Sequence, residues 1–266
     1  MILGVDHIVL ATADVDAAAA EIEERLGLAA SGGGRHEALG TRNRLVWLGD
    51  AYLELVGVFD EERASRSWLG RPVLEALERD ACFVGWAIAV DDLDKALRWA
   101  PQDAGLVGPI DGERRRPDGR VVRWRLARPE PIGPVSPILI EHDVSAAEWT
   151  PAERTARADH GHPVGGRVRL AGLEIRTQSP AMAAGRIRSN LAVAVEPAGR
   201  SGVRIRLAGH EVRLSATEDG PAALIDLVAD VPIRTRTAQL RDCRIRLRGR
   251  PGGAGASPQP DVDPDV

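Results

Sequence analysis

Lysine, aromatic residues and long apolar runs are all scarce in this sequence. Lys95 is the only lysine among 35 basic residues, so we interpret the arginine-rich stretches as compositional bias on solvated faces. With a net charge of −4, they give no reason to expect a nucleic-acid partner. Aromatic residues form 3% of the chain, which argues against base-stacking surfaces. No apolar run approaches the roughly 18 residues of a membrane helix, so we expect no membrane partner.

Cysteine is also rare, and the two present, Cys82 and Cys243, lie far apart in apolar, strand-like segments. We interpret them as buried free thiols rather than as a disulfide or a metal pair. This suits a reducing compartment, and no charged-then-apolar leader precedes Val5. The expected location is therefore cytoplasmic, and a hydrophobic content of 44% is ample for a core.

What the sequence does contain is a repeated strand–helix–three-strand pattern. In its first copy, residues 1–58, a β-branched run around Val5 to Ala11 precedes a helix opened by Asp14 and ended by Gly27. Three shorter strands are predicted around 36–39, 43–48 and 52–58. A second copy at 81–145 follows when Asp14 is aligned with Asp92. Such units cannot bury both sheet faces alone, so two copies should pair into one barrel.

The predicted class is α+β, with repeated βαβββ modules forming a curved, barrel-like mixed sheet with the helices outside. Residues 1–148 form this two-module domain, and a polar linker follows at 149–171. A third, degenerate module with a partial fourth occupies 172–249. Residues 250–266 lack periodicity, and we predict a disordered tail. The concave side of the barrel is the natural small-molecule pocket.

One histidine and two glutamates stand at matched places in the two modules: His7 near the start, and Glu54 and Glu141 in the last strands. A carboxylate inside an apolar strand is costly to bury unless it is paired or bound to a cation. We therefore consider His7, Glu54 and Glu141 as ligands of one divalent metal, Fe, Mn, Ni, Co or Zn. In the alternative interpretation, the glutamates pair with arginines such as Arg44, Arg123 or Arg125.

A second polar group, in the stretch GGRHEALGTRN, is predicted to face the pocket. His36, with an ordinary pKa near neutrality, is a candidate acid or base together with Glu54 and Glu141. A polar turn at a strand edge is the competing interpretation. The candidate substrate-binding residues are His36, Thr41, Arg42, Asn43, Trp86 and Arg123, with core packing as the alternative for Trp86.

The segments GVDHIVLATADVDAAAAEIEERLG, GGRHEALGTRNRLVWLGDAYLELVGV, RPDGRVVRWRLARPE and PILIEHD together resemble the vicinal-oxygen-chelate superfamily, and more closely its glyoxalase-like branch. The resemblance covers about residues 3–145. It implies a metal held by the first and last strands of each module, here at His7, Glu54, Gly85 and Glu141. Gly85 has no ligating side chain, so the sequence departs from the four-ligand pattern of glyoxalase I. The third module has Gly172 and Arg213 at the corresponding positions, and we predict that it binds no metal.

The resemblance implies a small-molecule ligand and leaves the function class open. One hypothesis is a metal-dependent lyase, isomerase or dioxygenase-type enzyme acting on a small oxygenated substrate in the barrel. The alternative is a metal-free small-molecule binding or resistance protein of the same fold. A third is a structural role in which the third module makes a homodimer interface.

Overall fold

The computed structural model describes residues 1–101, 104–191, 193–199, 202–216 and 223–250. Most of the predicted tail, residues 251–266, lies outside these ranges. The described chain forms two β-sheets with six α-helices around them. The first module contains β1 (Ile2–Ala11), α1 (Val15–Leu26), β2 (Ser31–His36), β3 (Thr41–Leu48) and β4 (Ala51–Val58). Two connecting helices follow, α2 (Glu61–Ser65) and α3 (Gly70–Glu78).

The second module repeats the order of the first. It contains β5 (Phe83–Val90), α4 (Leu93–Trp99), β6 (Leu106–Arg115), β7 (Val121–Pro129) and β8 (Ile138–His142). The eight strands close into a barrel in the order β1-β4-β3-β2-β6-β7-β8-β5. β1 runs antiparallel to β5 at one junction, and β2 meets β6 at the other, where Arg35 pairs with Arg115. The predicted pairing of two modules within one chain is confirmed.

The third module and the partial fourth form a second sheet. Helix α5 (Pro151–Ala158) precedes it, and its elements are β9 (Val168–Thr177), α6 (Pro180–Leu191), β10 (Val195–Ala198), β11 (Gly202–Leu207), β12 (His210–Ala216), β13 (Ala223–Ala229), β14 (Arg236–Leu240) and β15 (Cys243–Arg248). The strand order is β10-β11-β12-β9-β13-β15-β14. Its central pair, β9 against β13, repeats the antiparallel β1–β5 pair of the barrel.

The barrel and the second sheet share one apolar core. Ile8 and Leu53 from the barrel lie in the same buried cluster as Leu173 and Ile225 from the second sheet. Two backbone amides on the barrel side of this contact also donate hydrogen bonds to side chains on the other side. The Cys82 amide donates to Oδ1 of Asp242 at 2.7 Å, and the Val5 amide donates to Nδ1 of His210 at 3.2 Å. The second sheet therefore covers the outer face of the barrel and leaves the interior free for a site.

Helix α1 begins and ends as the sequence predicts. Asp14 is its N-cap, accepting from the amides of Asp16 and Ala17, and Gly27 ends it with φ 71°. The predicted strand at 36–39 is wrong. Its place is taken by β2, whose Ser-Gly-Gly-Gly run has no β-branched residue to signal a strand, and a short 3₁₀ turn occupies Glu37–Leu39.

The segment predicted as a linker packs on the barrel. It contains α5, and β9 begins at Val168, before the predicted module start at residue 172. His162 is buried and donates from Nε2 to the Trp47 carbonyl oxygen at 2.7 Å. That hydrogen bond satisfies a buried acceptor, which polar composition alone does not reveal. Cys82 and Cys243 are buried free thiols, as predicted. Among the described helices, none is long and apolar enough to cross a membrane.

Candidate functional site

Strand alternation and register bring one polar group into the barrel interior. Because successive side chains on a strand point to opposite faces, His7 and Val9 on β1 face inward while Ile8 joins the outer core. β1 and β4 are parallel, with His7 beside Tyr52 and Val9 beside Glu54. His7 and Glu54 therefore share the inner face, as the alternation predicts.

Glu54 lies at the centre of this group and is only 6% exposed. Asn43, on the neighbouring β3, donates from Nδ2 to Oε1 of Glu54 at 2.6 Å. Nε2 of His7 is 3.7 Å from Oε2, and Nε2 of His36 is 3.9 Å from Oε1. One carboxylate is thus oriented by an amide and faced by two imidazoles, each at a different oxygen.

The two imidazoles are held by different partners. Nδ1 of His7 is 2.6 Å from Oδ2 of Asp6, whose other oxygen is 2.9 Å from Nε2 of His142. Nδ1 of His36 instead lies 3.0 Å from Oγ1 of Thr41. In both cases Nδ1 is engaged and Nε2 is directed toward Glu54, an orientation that leaves the second ring nitrogen available for chemistry.

The surroundings of the two histidines shift their pKa values in opposite directions. Burial opposes protonation of His7, but the hydrogen bond and charge of Asp6, with Glu54 adding to them, raise its pKa above the ordinary value. Burial lowers the pKa of His36 to about 4; the charge of Glu54 opposes this shift and that of Arg114 adds to it. The environments therefore shift the two pKa values in opposite directions, toward the protonated form for His7 and toward the neutral form for His36.

Asp6 is ionised despite being almost fully buried. Burial acts to raise its pKa, but the charge and hydrogen bond of His142, followed by those of His7, hold the pKa far below its usual value. On a regular strand Asp6 would face away from His7. A register shift between Val5 and His7 in the β1–β5 pairing brings both side chains to the same hydrogen-bonding group.

Arg114 is a functional candidate that the sequence interpretation missed. It belongs to an arginine run predicted to be solvated, yet it is 4% exposed and faces the barrel interior from β6. Its Nη2 donates to Oε2 of Glu148 at 2.6 Å. The available signal was its place between Glu113 and Arg115 on a strand, where alternation turns one residue of a charged run inward.

Three of the predicted substrate-binding residues point into the barrel interior, and the other three do not. His36, Thr41 and Asn43 belong to the interior group. Arg42 points outward from β3 to Asp16, 3.1 Å away. Trp86 is fully buried in the outer core and donates from Nε1 to the Val135 carbonyl oxygen, in line with the core-packing alternative. The side chain of Arg123 is 57% exposed and lies at the outer groove described below.

Glu141 is not brought to His7 and Glu54. Its Oε2 accepts from the Leu93 amide at the start of α4 at 3.1 Å and lies 3.6 Å from Nη1 of Arg125. It is thus paired with one of the arginines that the alternative interpretation named. The residue that occupies the place of Glu54 in the second module is Ile138, because it pairs with Ala87 as Glu54 pairs with Val9.

Two of the four positions at which the resemblance implies metal ligands have no ligating side chain. The structurally matched positions are His7, Glu54, Gly85 and Ile138, and the last two offer no ligating atom. Across the residues with described positions, no group of three or more His, Cys, Asp or Glu side chains is arranged to hold a metal ion. These residues do not fit the four-ligand site.

The polar group lines an inner cavity that adjoins an outer groove. The inner cavity, about 40 Å³, is lined by His7, His36, Asn43, Glu54 and Arg114 among others. The outer groove, about 830 Å³, lies along β6 and β7. Both are lined by Leu39, Trp68, Trp124, Leu126 and His142. These shared residues, two of them tryptophans, form the boundary between the groove and the inner polar group.

A barrel of two paired βαβββ modules with a polar interior defines a protein of the vicinal-oxygen-chelate class. The sequence profile described as a glyoxalase-like domain matches residues 5–191. The chain belongs to this family, which confirms the resemblance. No curated protein matches the chain by sequence.

Solved structures match it in fold. A hypothetical protein from Staphylococcus aureus is 13% identical, with 92% of this chain and 99% of that chain covered and a TM-score of 0.74. A triple mutant of 4-hydroxymandelate synthase from Streptomyces coelicolor is 12% identical, with coverages of 96% and 95% and a TM-score of 0.57. A methylmalonyl-CoA epimerase from Mycobacterium tuberculosis is 21% identical over 53% of this chain and 87% of that chain, with a TM-score of 0.40.

Proposed function

We propose that the chain is an enzyme that moves a proton at a carbon next to a carbonyl group, with Glu54 as the base. The observation that carries this proposal is the position of the Glu54 carboxylate, buried in the barrel, oriented by Asn43 and faced by two imidazoles. Orientation by a neighbouring group and exclusion of water are what a general base requires. The reaction class is therefore an isomerase or a lyase acting on a small oxygenated substrate.

In the proposed step, Glu54 removes a proton from the carbon beside the carbonyl. The electron pair of the C–H bond becomes the C=C bond of an enolate, and the carbonyl oxygen takes the negative charge. His7 is the residue placed to neutralise that oxygen, since Asp6 favours its protonated form and its Nε2 is directed into the same space. Return of the proton to the opposite face of the same carbon gives the epimer, and its return to the oxygen gives the enol tautomer.

His36 has a different role in this scheme. Its pKa of about 4 leaves it neutral at physiological pH, so it does not compete with His7 for the developing charge. Thr41 holds its ring, and its Nε2 forms a neutral polar wall next to Glu54. No step is assigned to a metal, because the matched ligand positions include Gly85 and Ile138.

The test is exchange of carbon-bound hydrogen for deuterium in D₂O, followed by proton NMR on a panel of small ketones, hydroxyketones and 2-oxo acids. We expect Glu54→Gln to lower the exchange rate by about 10²- to 10⁴-fold, the usual contribution of a general base. The matched control is Glu174→Gln on β9, a carboxylate bonded to Ser215 in the second sheet, which should keep the wild-type rate.

Two outcomes would contradict the proposal. Equal exchange by wild type and Glu54→Gln would remove Glu54 from the chemistry. Saturable binding of a panel member with no exchange above the buffer rate would favour the metal-free binding protein.

A further inference from the structure

Arg114 is a buried cation whose hydrogen-bonding capacity is only partly used. Its side chain is 5% exposed, and Nη2 is engaged by Glu148. Nη1 is buried as well but has no hydrogen-bond partner. A guanidinium has five N–H donors in a fixed planar fork, and buried donors are almost always satisfied. Nη1 is therefore available to an acceptor on a bound ligand.

The Arg114 side chain is also fixed in position by a buried carboxylate. Glu148, itself 4% exposed, accepts from Arg114 and from Nη1 of Arg116 at 2.7 Å. Arg116 is also paired with Asp118, whose Oδ2 lies 3.2 Å from its Nε. Glu148 thus holds the Arg114 side chain in place through Nη2 and leaves Nη1 free. A buried and fixed guanidinium with a free N–H group suits a charged acceptor such as a carboxylate.

Arg114 shares its cavity with the proposed base. The cavity of about 40 Å³ is lined by Arg114, Glu54, His7 and His36. Only a small head group fits there. The remainder of any ligand would lie in the groove of about 830 Å³, which shares Trp68, Trp124 and Leu126 with the cavity. The part of the ligand next to the head group should therefore be apolar, whereas charged residues line the groove farther out.

We propose that Arg114 is a carboxylate-binding residue and that the substrate is a 2-oxo acid with an apolar side chain. The carboxylate would accept from the free Nη1 of Arg114, which places the adjacent carbonyl and its C–H next to Glu54 and His7. The inference rests on the proposed function, and it adds the substrate class and a recognition residue.

The test compares binding of 4-methyl-2-oxopentanoate with that of 4-methyl-2-pentanone, a ketone of similar body without the carboxylate, by NMR titration. Wild type should bind the oxo acid about 10- to 100-fold more tightly, the range of one charge-assisted hydrogen bond. The double variant Arg114→Gln/Glu148→Gln removes both partners of this ion pair, and Arg116, which also contacts Glu148, keeps its pairing with Asp118. It should lose this preference.

The matched control is Arg246→Gln/Asp226→Asn. This pair, joined by hydrogen bonds of 2.6 and 2.8 Å, lies on β15 and β13 of the second sheet. Its removal should leave the preference intact. Equal binding of the oxo acid and the ketone by wild type would overturn the inference, and this comparison needs no variant. Retention of the preference by a folded Arg114 double variant would overturn it as well.

The two proposals fail in different ways. Glu54→Gln should still prefer the oxo acid over the ketone while losing hydrogen exchange. If wild type prefers the oxo acid but shows no exchange, the carboxylate site is supported and the proposed proton transfer is not. If exchange depends on Glu54 but the ketone binds as tightly as the oxo acid, the proton transfer is supported and the carboxylate site is not.

Discussion

Asp6 and His7 are neighbours in the chain whose side chains are hydrogen-bonded to each other, with Nδ1 of His7 2.6 Å from Oδ2 of Asp6. Adjacent residues on a regular strand point to opposite faces. The shift in pairing between β1 and β5 removes that separation here. A buried charge is thereby placed directly behind the imidazole that faces Glu54, and this makes Asp6 a positioning residue for His7.

Asp6→Asn should lower the pKa of His7, because the hydrogen bond and charge that raise it are lost while burial remains. A raised folded-state pKa stabilises the protein below the unfolded value of about 6.5, and this stability is lost as pH rises through the folded value. In Asp6→Asn, this loss of stability with rising pH should disappear. Histidine NMR titration and urea unfolding between pH 6 and 9 measure both effects.

The variant should also be less stable at pH 6, by about 1–3 kcal/mol, the usual cost of a lost charged hydrogen bond. Asp16→Asn is the control, since Asp16 pairs with Arg42 and Arg44 at the surface and exposed pairs contribute about 0–1 kcal/mol. An unchanged His7 titration in Asp6→Asn would exclude the positioning role.

His36 should make the protein acid-sensitive. Its pKa falls from 6.5 to about 4 on folding, so the unfolded chain binds a proton that the native state refuses. Stability present above pH 6.5 is therefore lost as pH falls toward 4, on the order of 3 kcal/mol in full. His36→Gln should lose less stability than wild type between pH 7 and 4.5 in urea unfolding. Parallel curves for the two proteins would contradict this.

Much of the fold could be predicted from the sequence because its signals are local. The cap at Asp14, the stop at Gly27 and the alternation of β1 and β4 each act within a few residues, and the repeat then implies pairing of the modules. The strand β2 escaped prediction because three glycines carry no strand propensity. It forms because β3 and β6 supply its pairing partners, which are tertiary contacts.

In the candidate site, too, local sequence signals predicted some residues, and tertiary contacts decided the others. The alternation placed His7 and Glu54 on one face, and both lie in the cavity. The match of Glu141 to Glu54 depended on aligning two modules across insertions of uncertain length, and a shift of register moves a side chain to the other face. Arg114 and Asp6 could not be chosen from composition, because burial and a bulge decide their orientation.

The two cysteines should be unreactive in the native protein. Cys82 is 3% exposed, and its Sγ donates to the Leu240 carbonyl oxygen at 2.9 Å. A hydrogen bond with Cys243 and burial raise the Cys82 pKa far above its usual value, and the thiolate is the reactive form. A chromogenic disulfide reagent should label neither thiol at pH 8 and both in guanidinium. Rapid native labelling would show that the second sheet separates from the barrel.

Two glycine-to-alanine substitutions should change stability in opposite directions. Gly185 lies inside α6 with open space where a Cβ would stand, so Gly185→Ala should stabilise the protein by about 0.5–1 kcal/mol through helix propensity and a less flexible unfolded chain. Gly33 on β2 has φ 93°, and a Cβ there would collide with the Asn43 carbonyl oxygen.

Gly33→Ala should destabilise the protein by about 1–3 kcal/mol through this overpacking. It should also disturb Asn43, and with it the orientation of Glu54. Urea unfolding measures both stability changes. The exchange of carbon-bound substrate hydrogen for deuterium should slow only in Gly33→Ala. A Gly33→Ala protein with wild-type stability and exchange would mean that β2 can move away from β3 without affecting Glu54.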